Sequence, residues 1–153
     1  MAKANSGLFK PLNPHKYKGD PTNIVWRSSW ECRLMSRFDV DPNIISWQSE
    51  EFFIPYICKT DLKPHRYFVD FKVKLKDKDG KIKTLIIEVK PLAQTRPPIK
   101  PKENTQKAQK RFMTECMVYA KNHSKWEAAK VYAKERGMEF LIMTEREIYG
   151  DKK

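Results

Sequence analysis

The sequence predicts an α/β protein, one domain with a mixed β-sheet and helices on its faces. Three observations predict it. Residues 67–75 and 84–90 alternate apolar and polar side chains with a period of two around a turn at Asp79-Gly80, as a half-buried hairpin does. Residues 103–121 then repeat apolar side chains at helical spacing. Finally, the strand-like run MEFLIMT at 138–144 follows the helical stretch, and a strand–helix–strand return favours a parallel neighbour.

Residues 1–24, rich in Lys, Pro, Asn and Gly, read as a basic, extended N-terminal arm ahead of a single domain spanning 25–150. Lys3, Lys10, Lys16 and Lys18 can touch a phosphate backbone, although a solvated tail accounts for them equally well. Ser28 or Ser29 caps a helix running to about Phe38, with Trp30, Leu34 and Phe38 on one face; Asp41-Pro42 ends it. IISWQ and FFIPYIC read as strands, the second marked as an edge or bulge by Pro55.

The hairpin comes next, and its register matters because a one-residue slip moves a whole face. A two-residue loop Asp79-Gly80 sets Phe71 opposite Glu88 and mixes apolar with charged partners. A three-residue loop, Lys78-Asp79-Gly80 with Gly80 left-handed, pairs Asp77 with Lys81, Val73 with Leu85, Phe71 with Ile87 and Val69 with Val89. That register builds the better core. It also sets Asp70 opposite Glu88, with Lys90 on the same face.

After Lys90, PLAQTRPPIKPK is a loop, carrying four prolines. A helix from about Glu103 to Lys121 follows, with Lys107, Lys110 and Arg111 on its outer face as solvated decoration or a phosphate-facing ridge. Ser124-x-x-Glu127 has the form of a capping box for a second helix, which Gly137 closes. The order reads αβββααβ.

Two carboxylates directly across a ladder repel. Either Lys72, Lys74 and Lys90 neutralise them on a solvated face, or a cation bridges them. All-oxygen ligands favour a hard ion, Mg²⁺ with Mn²⁺ as a substitute. Lys90 can then orient an attacking water and stabilise charge on phosphoryl oxygens, so the face suits phosphodiester hydrolysis. Glu31 also has two readings: Ser28-x-x-Glu31 is itself a capping box, whereas a cap at Ser29 leaves Glu31 free to serve as a third acid.

Composition narrows the class. Residues 1–90 carry 17 basic and 11 acidic side chains and residues 91–153 carry 14 and 8, so each part holds +6 of the +12 total. The excess suggests a polyanionic partner, and its even spread fits a broad electrostatic footprint better than one basic tail. Cys32, Cys58 and Cys116 show neither zinc spacing nor a disulfide framework, and His15, His65 and His123 form no metal or triad pattern. Neither a signal peptide nor a membrane-length apolar run is present, so the expectation is a protein that is neither secreted nor membrane-bound.

WRSSWE at 26–31, RYFVDF at 66–71 and IIEVKP at 86–91 resemble motifs of the PD-(D/E)XK, or restriction-endonuclease-like, superfamily. The order SxxE, FxPYxC, VDF, ExK and the final MEFLIMTE resemble its TnsA-type transposon endonucleases. The lead-in NPHKYKGDPTNIVWRSSWE is similar to the head-completion proteins of T-even-type tailed phages. Val69 stands where the superfamily's name has proline, and Glu88 where TnsA-type proteins often carry Gln.

This resemblance implies an αβββαβ core, with Asp70, Glu88 and Glu31 as metal ligands and Lys90 as the catalytic lysine. It further implies a Mg²⁺-dependent DNA endonuclease working in phage head completion after packaging. Such a protein would act in the host-cell cytoplasm during assembly, or in the virion head, with DNA and head or portal proteins as partners. Lys16, Lys18, Arg27, Lys72, Lys107, Lys110 and Arg111 are the candidate DNA contacts. One active site cuts one strand, so a double-strand break needs a homodimer or successive nicks. The competing expectation is a non-catalytic DNA- or portal-binding factor that keeps a nuclease fold. A transposition enzyme is less apt, because the chain lacks an added DNA-reading domain.

Overall fold

The computed structural model describes residues 6–150; Lys3, a candidate phosphate contact, lies outside them. The elements run β1 (Gly7–Phe9), β2 (Ile24–Trp26), α1 (Ser29–Val40), β3 (Ile44–Ser49), β4 (Phe53–Ile57), β5 (Pro64–Phe68), β6 (Phe71–Lys76), β7 (Ile82–Val89), α2 (Gln106–Glu135), β8 (Glu139–Met143) and α3 (Glu145–Tyr149). A 3₁₀ turn at Pro14–Lys16 precedes β2, and another at Leu92–Thr95 follows β7. The central sheet has the order β3-β6-β7-β8, antiparallel except for the parallel β7–β8 pair. It is therefore the mixed sheet expected, with helices on both faces.

The hairpin forms in the three-residue register. Gly80 takes φ +80°, which a β-carbon would disfavour. The Asp77 N–H donates to the Lys81 carbonyl at 2.8 Å, while Asp77 Oδ1 accepts from the N–H groups of Asp79 and Lys81. Phe71 pairs with Ile87 and Val73 with Leu85. These side chains meet Leu34, Met35 and Phe38 of α1 and Trp47 of β3 in one core. The opposite face of the sheet buries Ile86 with Tyr67, Val69 and Ile54 under Ala129 and Ala133 of α2.

The structure departs from the sequence-based expectation in three places. The lead-in is not a free arm: β1 pairs with β2, and Tyr17 and Ile24 enter the α1 core at 5% and 0% exposure. The two helices expected over 103–137 are one. Ser124 does not cap; its hydroxyl donates to the Ala120 carbonyl and accepts from the Lys59 N–H, and neither Gly nor Pro interrupts the turn before it. Gly137 does close this helix: at φ +68° it donates to the Lys134 carbonyl while the Met138 N–H reaches Ala133, the paired bonds of a Schellman end. Third, the strand expected over 67–75 breaks at Val69–Asp70. Residues 64–68 pair with β4 and residues 71–76 with β3 and β7, which gives more strands than αβββααβ allows.

A candidate active site at a strand break

The break at Val69–Asp70 places Asp70 where one chain segment leaves the ribbon β4–β5 and enters the central sheet. Its carbonyl accepts from the Glu50 N–H at 3.2 Å, and its Oδ2 accepts from the Val89 N–H at 2.8 Å. Glu88, on β7, points to the α2 side and is 6% exposed. Its Oε2 accepts a short hydrogen bond from the Tyr67 hydroxyl, and its Oε1 lies 3.7 Å from Lys90 Nζ. The Asp70 and Glu88 carboxyls are near enough for each to act on the other's ionisation. Two carboxylates so placed repel, and a proton or a cation between them relieves the repulsion.

The electrostatics agree. Burial, then the neighbouring Glu88 charge, pushes the Asp70 carboxyl well above the usual carboxylate range. The Val89 N–H, Lys90 and a repulsive contribution from Glu31 act on it more weakly. Burial likewise raises Glu88, against the lowering effects of Tyr67, Lys90 and Lys125. The Tyr67 phenol is raised by burial and by Glu88, so it acts as a donor only. Lys125, on α2, is pushed down by its own burial and by Lys121 and Lys90, while Glu88 and Asp70 hold it up. Its ammonium also stands 5.6 Å over the Tyr67 ring.

Asp70, Glu88 and Lys90 thus share one face. Glu31 is not part of the same cluster. Ser28 is the helix cap and accepts from the Glu31 N–H at 3.2 Å, while Glu31 Oε2 accepts from the Arg27 N–H at 3.0 Å. Glu31 is close enough for its charge to raise Asp70, and burial raises its own carboxyl. Among the described residues, no three His, Cys, Asp or Glu side chains form a group that could hold a metal ion. What the structure offers a cation is a carboxylate pair rather than a cage. Such a pair suits Mg²⁺, which is commonly held by one or two carboxylates together with water and substrate phosphate.

The candidate DNA contacts divide. Lys16 is corrected: it is 8% exposed, and its ammonium donates to the carbonyls of Asp39 (3.0 Å) and Asp41 (2.8 Å) at the end of α1. Those orphan carbonyls and the helix dipole account for its burial. Lys18, Lys107, Lys110 and Arg111 are exposed, the last paired with Glu115 at 3.1 Å. Arg27 is exposed beside Glu50 at 3.2 Å, and Lys72 is half-buried over the Phe52 ring.

Sequence reasoning missed Tyr67 and Lys125. Alternation assigned Tyr67 to the face away from Glu88, and only the break at Val69–Asp70 turns it inward. Lys125 was hidden by dividing α2; in one continuous helix, Lys121 and Lys125 are four residues apart on a single face.

Comparison with known proteins bears on the same residues. The family model for the TnsA-like endonuclease N terminal matches residues 41–145, a span that includes Asp70, Glu88, Lys90 and Lys125 but not Glu31. The chain is also similar to the head completion nuclease of Enterobacteria phage T4, at 44% identity over 142 residues, covering 93% of this chain and 92% of that protein. The match spans more than half of the chain and contains the whole acid–lysine face, and on that ground the chain belongs to the TnsA-like endonuclease family.

Proposed function

We propose that this chain is a Mg²⁺-dependent DNA endonuclease, with Mn²⁺ as a substitute, that trims or nicks DNA during completion of phage heads. The observation that carries the reading is the neighbouring Asp70 and Glu88 carboxyls flanked by the ammonium groups of Lys90 and Lys125. The head-completion role rests on the likeness to the T4 nuclease. The +12 charge suits DNA, and the head or portal proteins remain the expected protein partners.

Asp70 and Glu88 would hold the divalent cation, which supplies Lewis acidity to the phosphodiester and to water when bound. Val89 N–H and Tyr67 O–H engage one oxygen of each carboxylate and so fix both side chains before substrate arrives. Lys90 orients the attacking water and donates to charge building on the phosphoryl oxygens. Lys125 adds a second positive charge from the opposite wall, partly withdrawn from water. Glu31 raises the electronegative field at Asp70 while serving the start of α1.

The test is nicking and linearisation of supercoiled plasmid with Mg²⁺, Mn²⁺ or EDTA, using the wild type beside Asp70→Ala and Lys90→Ala. Metal-dependent cutting that is lost in both variants is the expected result. An Asp70→Ala protein that cuts at the wild-type rate overturns the mechanism. A wild type inert with every metal moves the reading to a structural head-completion factor, or to an enzyme active only in the assembled head.

A further inference from the structure

Beside the acid–lysine face, the 3₁₀ turn Leu92–Thr95 and the chain running on to Pro98 stand off from α2 and leave a groove of about 400 Å³. That volume lies within the range of small-ligand sites, about 300–1,000 Å³. Its lining includes Gln94, Arg96, Glu115, Val118, Tyr119 and Asn122. Asn122 is the unusual member. It is 8% exposed, yet among the described residues its side-chain amide has no hydrogen-bond partner. Its amide atoms are open to the groove rather than sealed from water, since the buried side-chain atoms without a partner among the described residues are the indole nitrogens of Trp47 and Trp126. Asparagine is also a poor helix former in the middle of a helix. A donor and an acceptor free of protein partners and open to a groove can be taken over from water by a ligand with a complementary edge.

The surroundings identify the kind of ligand. Residues 96–125 carry eight Lys and Arg side chains against two acids, Glu103 and Glu115, and Glu115 is already paired with Arg111. Arg96 and Glu115 balance within the groove and the excess of cations lies around it, which suits an uncharged group carried on an anionic strand. Tyr119, half-buried in the groove wall, offers an aromatic face, and the Asn122 amide can pair with a base edge in the way Asn pairs with adenine. The groove also adjoins the catalytic face. Asn122 and Lys125 are three residues apart on one side of α2, and Lys90 lies two residues before the turn Leu92–Thr95.

We propose that this groove is a nucleobase subsite that takes one unpaired base of the DNA strand lying across the catalytic face. A base inside uninterrupted duplex is stacked and has its pairing edge occupied, so it cannot enter. The substrate class is accordingly DNA with unpaired nucleotides beside the cut: a tailed end, a flap or a gap. This inference rests on the endonuclease reading for its meaning, but the binding it describes does not require cleavage.

The experiment measures binding of the full chain in EDTA by fluorescence anisotropy. It uses a blunt duplex, the same duplex with a short adenine tail, and the same duplex with an abasic tail. Wild type is expected to bind the adenine-tailed duplex about ten-fold tighter than either of the others. Asn122→Leu and Tyr119→Ala should each reduce that preference to within about two-fold, with blunt-duplex affinity and melting temperature unchanged. Equal binding of all three DNAs by wild type overturns the proposal, as does a preference retained in both variants. The first outcome would leave the groove to a peptide. If Asn122→Leu fails to fold, the wild-type comparison of adenine and abasic tails still decides the matter. A protein that never cuts yet prefers the adenine tail would sink the endonuclease reading and leave the subsite standing.

Discussion

Tyr67 donates its hydroxyl hydrogen to Glu88 Oε2, although strict alternation along residues 67–75 would set the two on opposite faces of the sheet. The contact exists because the chain breaks at Val69–Asp70. The break lets the buried Tyr67 ring lie under α2 while Asp70 turns toward Val89. One irregularity thus sets the position of one acid and the orientation of the other.

Tyr67→Phe tests that orientation. The ring packing survives, but Glu88 loses a hydrogen bond that favours its charged form, so its carboxyl rises further and holds its proton more tightly. The expected outcome is a plasmid-nicking rate about ten-fold lower at limiting Mg²⁺, partly restored at high Mg²⁺, with an unchanged circular dichroism spectrum. A rate deficit independent of Mg²⁺ concentration would show that the phenol acts elsewhere.

The raised carboxyls also make stability depend on pH in an uncommon direction. In the unfolded chain, Asp70 and Glu88 titrate near pH 4, roughly. In the folded chain both are raised, by burial first and, for Asp70, by Glu88 next. Above the unfolded values the folded state holds more protons, so its stability falls as pH rises through the folded values. Melting temperatures taken in EDTA from about pH 5 to about pH 8 should therefore fall more steeply for wild type than for Asp70→Asn. Added Mg²⁺ should raise the wild-type melting temperature more at the alkaline end. Parallel slopes for the two proteins would contradict this account.

The sequence showed the hairpin register plainly, because Gly80 and the Val73–Leu85 and Phe71–Ile87 pairs leave one satisfactory alignment. From that register the Asp70, Glu88 and Lys90 face followed. The capping of α1 was legible as an alternative, and Ser28 settles it. What period-two and period-3.6 patterns cannot carry is a strand break without Pro or Gly, and Val69–Asp70 is such a break. A Ser-x-x-Glu pattern inside a continuous helix is equally silent, since Ser124 can bond the carbonyl one turn back instead of capping. Both errors hid residues of the site, Tyr67 in the first case and Lys125 in the second.

Lys125 is the better test of what was hidden. Lys125→Met keeps an apolar stem beside Tyr67 and removes the charge that favours ionised Glu88. Single-turnover cleavage should fall about a hundred-fold, the magnitude typical of losing one donor aimed at developing charge. Affinity for DNA in EDTA should change only a few-fold, since one phosphate contact of many is lost. An equal loss in binding and in rate would make Lys125 a phosphate anchor with no part in the chemical step.

Lys16 separates charge that serves DNA from charge that serves the fold. Its ammonium is buried on the Asp39 and Asp41 carbonyls, where it satisfies the end of α1 and opposes the helix dipole. Lys16→Met leaves those carbonyls without their donor, so urea unfolding should show a loss of about 2 kcal/mol. The slope of log affinity for duplex DNA against log salt should stay at the wild-type value, because no phosphate contact is removed. Lys18→Met, two residues on and exposed, should do the reverse, with stability unchanged and the salt slope reduced by about one. If Lys16→Met instead shifts the salt slope, the ammonium leaves the helix end when DNA binds, and the lead-in acts as the arm its composition suggested.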